Sequence, residues 1–453
     1  MSARLSSASH LIWVLHNTQG LGVLPAICSC KKDTPAGYPS VQISAPYSLA
    51  VFNVPCTIQV TGHASDSKSL TSVTVYIANG QNIALESPIQ IPVTSNSMNV
   101  SCSYQLNDIH LPSGQYYMTI TASNGTNVSS AFQPIYIDAV PTKRVAIYAI
   151  TRDATGVHAW GIDSVFKISP AFSYTVSGDY SSSDVNSYYQ QLYIAGHDSG
   201  NVNVYSVPMP SRDWAISGVP STTPYFTNVY CNNDAEFVSY YANNLANGYV
   251  KCYNHLGALQ SVFNATTGYY PVKTYAWENF LFTEEKGISL SASEWLHIFY
   301  QSTSASYNQT SLPGPITAMY GYDNNDIFIF GNTGSGDGFI KLYNIPGNTF
   351  YSPPFSLNTY GKLLSAAQIN ANTYLLGFSN GTIYQYTYNP VSIIPYINVI
   401  IASTIRYDSI NNQVIIASGK TVNAYNYGIG SATLAASITI SDSVRDLRIL
   451  YNK

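Results

Sequence analysis

From residue 41 to residue 138, apolar and polar positions alternate with a period of two and no helical stripe develops. The alternation predicts strands at Cys56–Thr61, Ser72–Ala78, Met98–Leu106, Gln115–Ala122 and Ala131–Ile137. Turn signals at Asn79-Gly80, Pro112-Ser113-Gly114 and Asn124-Gly125 separate them. About a hundred residues with roughly seven short strands is the size of an immunoglobulin-like sandwich. From residue 141 to 453 the pattern changes to a repeat. A short strand ending on an aromatic residue recurs seven times, closing on Trp160, Tyr205, Tyr253, Phe299, Tyr343, Tyr386 and Tyr425. A glycine usually opens it, as in Gly200-Asn-Val-Asn-Val-Tyr205 and Gly338-Phe-Ile-Lys-Leu-Tyr343. The steps of roughly 39 to 48 residues match a four-stranded propeller blade.

A second short strand precedes six of the copies: Gln191–Ala195, Phe237–Tyr241, Phe280–Thr283, Ile327–Gly331, Tyr374–Phe378 and Val414–Ala417. Several follow tight Asn/Asp turns, such as Tyr322-Asp-Asn-Asn-Asp326, which tolerate the backbone angles of a hairpin. Two end segments fit together. Lys143–Ile150 opens a unit that lacks its innermost strand, and Ser443–Tyr451 is a strand with no unit of its own. The C-terminal strand is expected to complete the first blade, leaving no sheet edge open. The expected fold class is all-β: an N-terminal immunoglobulin-like sandwich over 41–138, then a seven-bladed β-propeller over 141–453 closed by the C-terminal strand. Six or eight blades is the alternative.

Two resemblances bear on this. Leu111–Gly125, with its Pro-Ser-Gly turn, alternating Tyr/Thr and Asn-Gly hairpin, resembles the penultimate strand of bacterial Ig-like modules. The repeated order of Asp/Asn turn, strand, glycine, strand and aromatic resembles bacterial WD40-like and YVTN-type seven-bladed propellers. That resemblance implies a fold and leaves function open, because such propellers bind many things.

Composition narrows the partners. Charged residues are only 9% of the chain against about 25% in an average soluble protein. Nineteen basic and 23 acidic residues give a net charge of -4, with no basic stripe to neutralise phosphates, so nucleic acid is not an expected partner. Tyr, at 39 copies, is a good strand former and also suits protein or sugar contacts. The first 29 residues read as a signal peptide, with Arg4 before the apolar stretches Leu11–Leu15 and Leu21–Ile27. Ile27-Cys28-Ser29-Cys30-Lys31-Lys32-Asp33 resembles the lipobox of bacterial lipoproteins and the charged start of many Bacteroidetes lipoproteins. The resemblance implies lipidation at Cys30, a tether over residues 30–40, and anchoring at the outer membrane or cell surface, with the periplasmic face as the alternative. Cys56, Cys102, Cys231 and Cys252 fall as one pair in each region, as internal disulfides or as buried thiols.

Propeller ligands usually meet one end of the central channel. Scarce charges collect in the predicted loops between second and third strands: Arg152, Asp153, His197, Asp198, Glu284, Glu285, Lys286, Asp337 and Lys420. They are the candidate ligand-binding residues at a shared mouth. No catalytic set is expected. Glu284 and Glu285 are adjacent, so on a strand they face opposite ways. The chain lacks a Gly-x-Ser-x-Gly elbow, the Ser-x-Asp-x-Gly-x-x-Trp boxes of sialidases and the tryptophans of quinoprotein docking motifs. No cofactor and no metal are expected. Asp323-Asn-Asn-Asp326 offers oxygen ligands but lacks the loop of an EF-hand and reads as a hairpin turn. The expected function is non-catalytic recognition of a protein or glycan at the cell envelope. The alternatives are an envelope carbohydrate-active enzyme with its site at the channel mouth, or a structural scaffold of an outer-membrane complex.

Overall fold

The computed structural model describes residues 37–453 except 199, 209–210, 219–224, 233–234, 241–247, 290–292 and 399. The signal segment and Cys30 lie outside the described residues. The chain divides into two compact units, one ending at Asp138 and the other running from Ala139 to Lys453, with Asp108–Leu111 grouped with the second. Strands dominate both; the described residues include a single 3-10 turn, Pro170–Phe172, and no α-helix. Among the described residues, no helix is long and apolar enough to cross a membrane.

The first unit stacks a three-stranded sheet, ordered Ser40–Ala45, Cys56–Ser65, Ser97–Leu106, with a five-stranded sheet. The second sheet is ordered Ala50–Asn53, Val128–Asp138, Gly114–Ser123, Ser72–Ala78, Ile89–Ile91. The period-two pattern puts Ile58, Val60 and Ala64 of one sheet and Val73, Val75, Ile77, Met118 and Ile120 of the other out of contact with water. Three strands escape the sequence pattern: Ser40–Ala45, Ala50–Asn53 and Ile89–Ile91 are short and have exposed or half-exposed positions nearly throughout. Cys56 and Cys102 are free. Cys56 stands opposite Leu106 and Cys102 opposite Val60, so four residues of strand, about 13 Å, separate them. A disulfide needs Cα atoms within about 7 Å.

The described residues of the second unit form seven four-stranded antiparallel sheets. Sheet 1 is Val444–Tyr451, Arg144–Arg152, Val157–Ile162 and Tyr174–Val176, so the last strand of the chain lies against the first strand of this unit. Sheet 2 runs Ser182–Asn186, Gln191–Ala195, Val202–Ser206, Arg212–Ile216, and sheet 3 runs Phe226–Cys231, Glu236–Tyr240, Tyr249–Tyr253, Leu259–Asn264. Sheet 4 is Tyr269–Trp277, Phe280–Gly287, Trp295–Tyr300 and Ser306–Ser311; sheet 5 is Ile316–Gly321, Asp326–Asn332, Gly338–Asn344 and Thr349–Tyr351. Sheets 6 and 7 follow the same plan from Leu363–Asn370 to Ser392–Ile397 and from Thr404–Asp408 to Ser431–Thr439. All seven aromatic-ended repeats are third strands.

The core lies between neighbouring sheets rather than at one centre. Tyr193 and Val204 of sheet 2 pack on Phe226 and Val238 of sheet 3, and corresponding clusters join each successive pair. Two further clusters complete the cycle: Leu192 and Ile194 meet Tyr148 and Ile150 of sheet 1, while Ile415 and Val422 of sheet 7 meet Ile147 and Leu447 on its other face. A second strand is therefore covered on both faces. Gln191–Ala195 and Thr373–Phe378 are buried at every position, which is why they read as continuous apolar runs.

Cys231 and Cys252 are also free. They sit on the first and third strands of sheet 3, opposite Glu236 and Phe237 of the strand between, about two strand spacings or ~10 Å apart. They are too distant to bridge.

Candidate functional site

The innermost strands carry short polar residues on a register of their own. Ser182, Asn228 and Thr274 stand 46 residues apart and bond in series: Ser182 Oγ to Asn228 Oδ1 at 3.2 Å, and Asn228 Nδ2 to Thr274 Oγ1 at 3.0 Å. The same step links Asn186 Nδ2 to the Asn232 carbonyl (3.1 Å), Gly321 N to Tyr275 OH (2.9 Å) and Tyr320 OH to the Ala366 carbonyl (2.7 Å). Buried polar groups need partners, and here each first strand finds them on the next.

These strands enclose a cavity of about 630 Å³. Hydroxyl and amide side chains line it, with Tyr180, Tyr230, Tyr275 and Tyr320 set among them. Six charged residues also face it: Lys273, Arg406, Arg445 and Arg448 against Asp184 and Asp446. Arg448 bridges both acids, at 3.3 Å to Asp184 Oδ1 and 2.7 Å to Asp446 Oδ2, and Arg406 adds a 2.9 Å contact to Asp446 Oδ1. Burial pulls the Arg448 guanidinium down, but the flanking Asp446 and Asp184 carboxylates outweigh it and hold it above its ordinary value. Burial raises Asp184, opposed by Arg448 and by the backbone N–H of Cys231 (2.8 Å).

Lys273 extends from sheet 4 to sheet 5, donating to the carbonyls of Ile316 (2.9 Å) and Thr317 (2.7 Å). Burial lowers its pKa and pushes that of neighbouring Glu284 up to about 7, each partly restrained by the other's charge. A second cavity of about 600 Å³ opens between sheets 5 and 6, lined by Lys273, Asn332, Thr333 and Lys362 among others.

None of the nine sequence-derived candidates lines either cavity. Arg152 is the exposed last residue of the strand Arg144–Arg152, and Asp153 follows it in an exposed turn where it accepts from Thr155 and His158. His197 pairs with Asp198 at 2.8 Å, and both backbone N–H groups bond the buried Asp179 carboxylate. Asp179, His197 and Asp198 are close enough to share an ion, but Asp179 already takes three backbone N–H groups, Gly200 included, and thereby shapes the turn. Asp337 bonds Ser335 within its turn, and Lys420 reaches the Ser441 carbonyl.

Glu284, Glu285 and Lys286 correct the loop assignment. They belong to the second strand of sheet 4, which runs to Gly287 and pairs with Lys273, Pro271 and Tyr270 on one side. Glu284 Oε1 accepts from Ile316 N in the next sheet, while Glu285 accepts from Thr266 N and from His297 Nδ1 at 2.6 Å. His297 Nε2 in turn meets Ser306 Oγ at 2.7 Å. This series has the order of a nucleophile–base–acid relay, but neither cavity reaches Ser306. It ties the last three strands of sheet 4 together.

Asp323 Oδ1 accepts the backbone N–H groups of Asn325 and Asp326 at 2.9 Å, as a hairpin turn requires.

Glu236 is the clearest buried acid. It is fully buried, with Oε1 bonded to Asn186 Nδ2 (3.1 Å) and Tyr193 OH (3.0 Å) and Oε2 without a partner. Burial pushes its pKa from 4.5 up to about 7. A folded-state pKa raised above the unfolded value stabilises the fold below that range and loses the contribution as pH rises through about 7. Thermal melts of a Glu236→Gln variant are therefore expected to lose about 1 kcal/mol less than the wild type between pH 6 and pH 8. Parallel pH profiles would show that Glu236 does not titrate there.

Residues 39–122 match the family model of the bacterial Ig domain. No curated protein matches the sequence. Solved structures similar to the chain include the following three. The β-propeller domain of Cps50 (Swd1) from Myceliophthora thermophila has 8% identity and a TM-score of 0.48, over 64% of this chain and 100% of that one. Sqt1 from Saccharomyces cerevisiae has 13% identity and a TM-score of 0.48, over 67% and 84%. A quinoprotein alcohol dehydrogenase-like protein from Bacteroides thetaiotaomicron has 9% identity and a TM-score of 0.46, over 91% and 99%.

Proposed function

We propose that this chain is a non-catalytic recognition protein of the cell envelope. In this reading residues 141–453 form a seven-bladed propeller that takes a protein or glycan ligand at its channel. The Ig-like region 41–138 is a spacer, and a lipid on Cys30 holds the chain at the outer membrane or cell surface. One observation carries the absence of catalysis. Both carboxylates that face the channel are neutralised by arginine: Asp184 by Arg448, and Asp446 by Arg448 and Arg406. A general acid or base must be free to exchange a proton with its substrate. Carboxylates clamped by guanidinium groups have their oxygens already occupied.

Incubation of the full chain with arrayed envelope polysaccharides and envelope proteins is the test. Retained binding with chemically unchanged ligand is expected; new reducing ends or cleaved products would overturn the reading. Metabolic labelling with an alkynyl fatty acid is expected to mark the wild type and leave a Cys30→Ser variant unmarked. Equal labelling of both would remove the anchor.

A further inference from the structure

Charge in the channel runs opposite to charge in the chain. The sequence holds 23 acidic and 19 basic residues, yet the cavity wall presents four cations and two carboxylates. Both carboxylates are already consumed by arginine, so the wall keeps an excess of positive charge. Donors are left over as well. Arg445 is exposed and has no hydrogen-bond or ion-pair partner among the described residues. Arg448 Nε is buried and unpartnered. Lys273 spends two of its three N–H groups on the Ile316 and Thr317 carbonyls and keeps one.

The rest of the wall is neutral and hydroxyl-rich, with Thr227, Thr317, Ser403 and Thr404 beside the half-buried tyrosines. An inorganic anion would use only the cations. A ligand with ring hydroxyls as well as a carboxylate would use the whole surface, and a volume of about 630 Å³ falls within the ~300–1,000 Å³ of small-ligand sites. We propose that the channel binds a short acidic saccharide, its carboxylate directed to Arg445, Arg448 and Lys273 and its hydroxyls to the Ser, Thr and Tyr side chains around them. This rests on the recognition function proposed above and specifies its ligand class.

Calorimetric titration of the full chain with galacturonate oligomers, their methyl esters and inorganic phosphate separates the possibilities. The acid oligomers are expected to bind at least about tenfold more tightly than the neutral esters or phosphate, and more weakly as salt rises. An Arg445→Glu variant is expected to lose about tenfold or more in affinity, because charge reversal repels the carboxylate. Its thermal melt should stay unchanged, because Arg445 is exposed and makes no hydrogen bond or ion pair among the described residues. A Lys341→Ala variant, altered on the third strand of sheet 5 where Nζ meets Ser352 and away from the cavity lining, is expected to bind as the wild type does. Equal binding of acid and ester would overturn the acidic-ligand inference while leaving glycan recognition standing. Phosphate binding as tight as the oligomers would reduce the site to a simple anion site. Absence of binding to any of the three, or wild-type affinity in Arg445→Glu, would also overturn the inference.

Discussion

Deletion of residues 443–453 is expected to abolish cooperative folding of the unit that runs from Ala139 to the C-terminus. The strand Val444–Tyr451 is the first strand of sheet 1, and Val444, Leu447 and Leu450 are 3%, 0% and 0% exposed. Burying three such side chains contributes about 5–9 kcal/mol, comparable to the whole stability of a typical domain, about 5–15 kcal/mol. The strand also touches both neighbours. Toward sheet 7, Arg406 Nε donates to the Leu447 carbonyl (2.8 Å) and Tyr451 OH to Asp408 (3.2 Å). Toward sheet 2, Tyr451 N donates to Ser187 Oγ (3.0 Å) and Gln190 Nε2 to the Tyr451 carbonyl (2.6 Å). Its loss would uncover the edge of Arg144–Arg152 and open the interfaces on both sides at once. Calorimetry and limited proteolysis of the truncated chain measure the effect, with Leu447→Ala as a milder form expected to cost about 2–5 kcal/mol. A truncated chain melting at the wild-type temperature would show that this strand closes nothing.

That closing strand was legible in the sequence because two incomplete ends, Lys143–Ile150 and Ser443–Tyr451, needed each other. Third strands were equally legible, since each ends on an aromatic side chain packed between sheets, as Tyr253 and Tyr343 are. First and fourth strands were not. Arg212–Ile216 is half exposed and carries no apolar alternation, and Ser182–Asn186 is polar because it lines the channel. The same fact hides the charge of the channel. Charge in turns points to His197 and Asp337, whereas the channel takes its charge from within strands, at Asp184, Lys273, Arg406 and Arg448. In Arg445-Asp-Leu-Arg448 the signal was present: three charges on a strand whose Leu447 is buried cannot all face bulk water. The 46-residue spacing of Ser182, Asn228 and Thr274 was also available, but small polar residues carry no periodicity of hydrophobicity.

Arg448 concentrates the second large effect. It joins the closing strand to sheet 2 through Asp184 and sits beside Asp446 of its own strand. Replacing it with Met keeps much of the volume and removes the charge, leaving Asp184, already raised by burial, without its main counter-charge. Breaking a buried ion pair on one side costs about 3–5 kcal/mol, more than the pair itself contributes, because the partner stays buried and unpaired. The deficit has a predictable pH dependence. A carboxylate whose folded-state pKa is raised above its unfolded value is tolerated below that value and costs increasingly as pH rises through it. Chemical denaturation of Arg448→Met should therefore show its greatest loss near pH 8 and partial recovery toward pH 5. Adding Asp184→Asn should restore most of the loss at pH 8, since the uncompensated charge, rather than the missing guanidinium, is the source of the cost. A loss that is equal at both pH values and unrelieved by Asp184→Asn would mean that Arg448 stabilises the ring through packing of its alkyl chain alone.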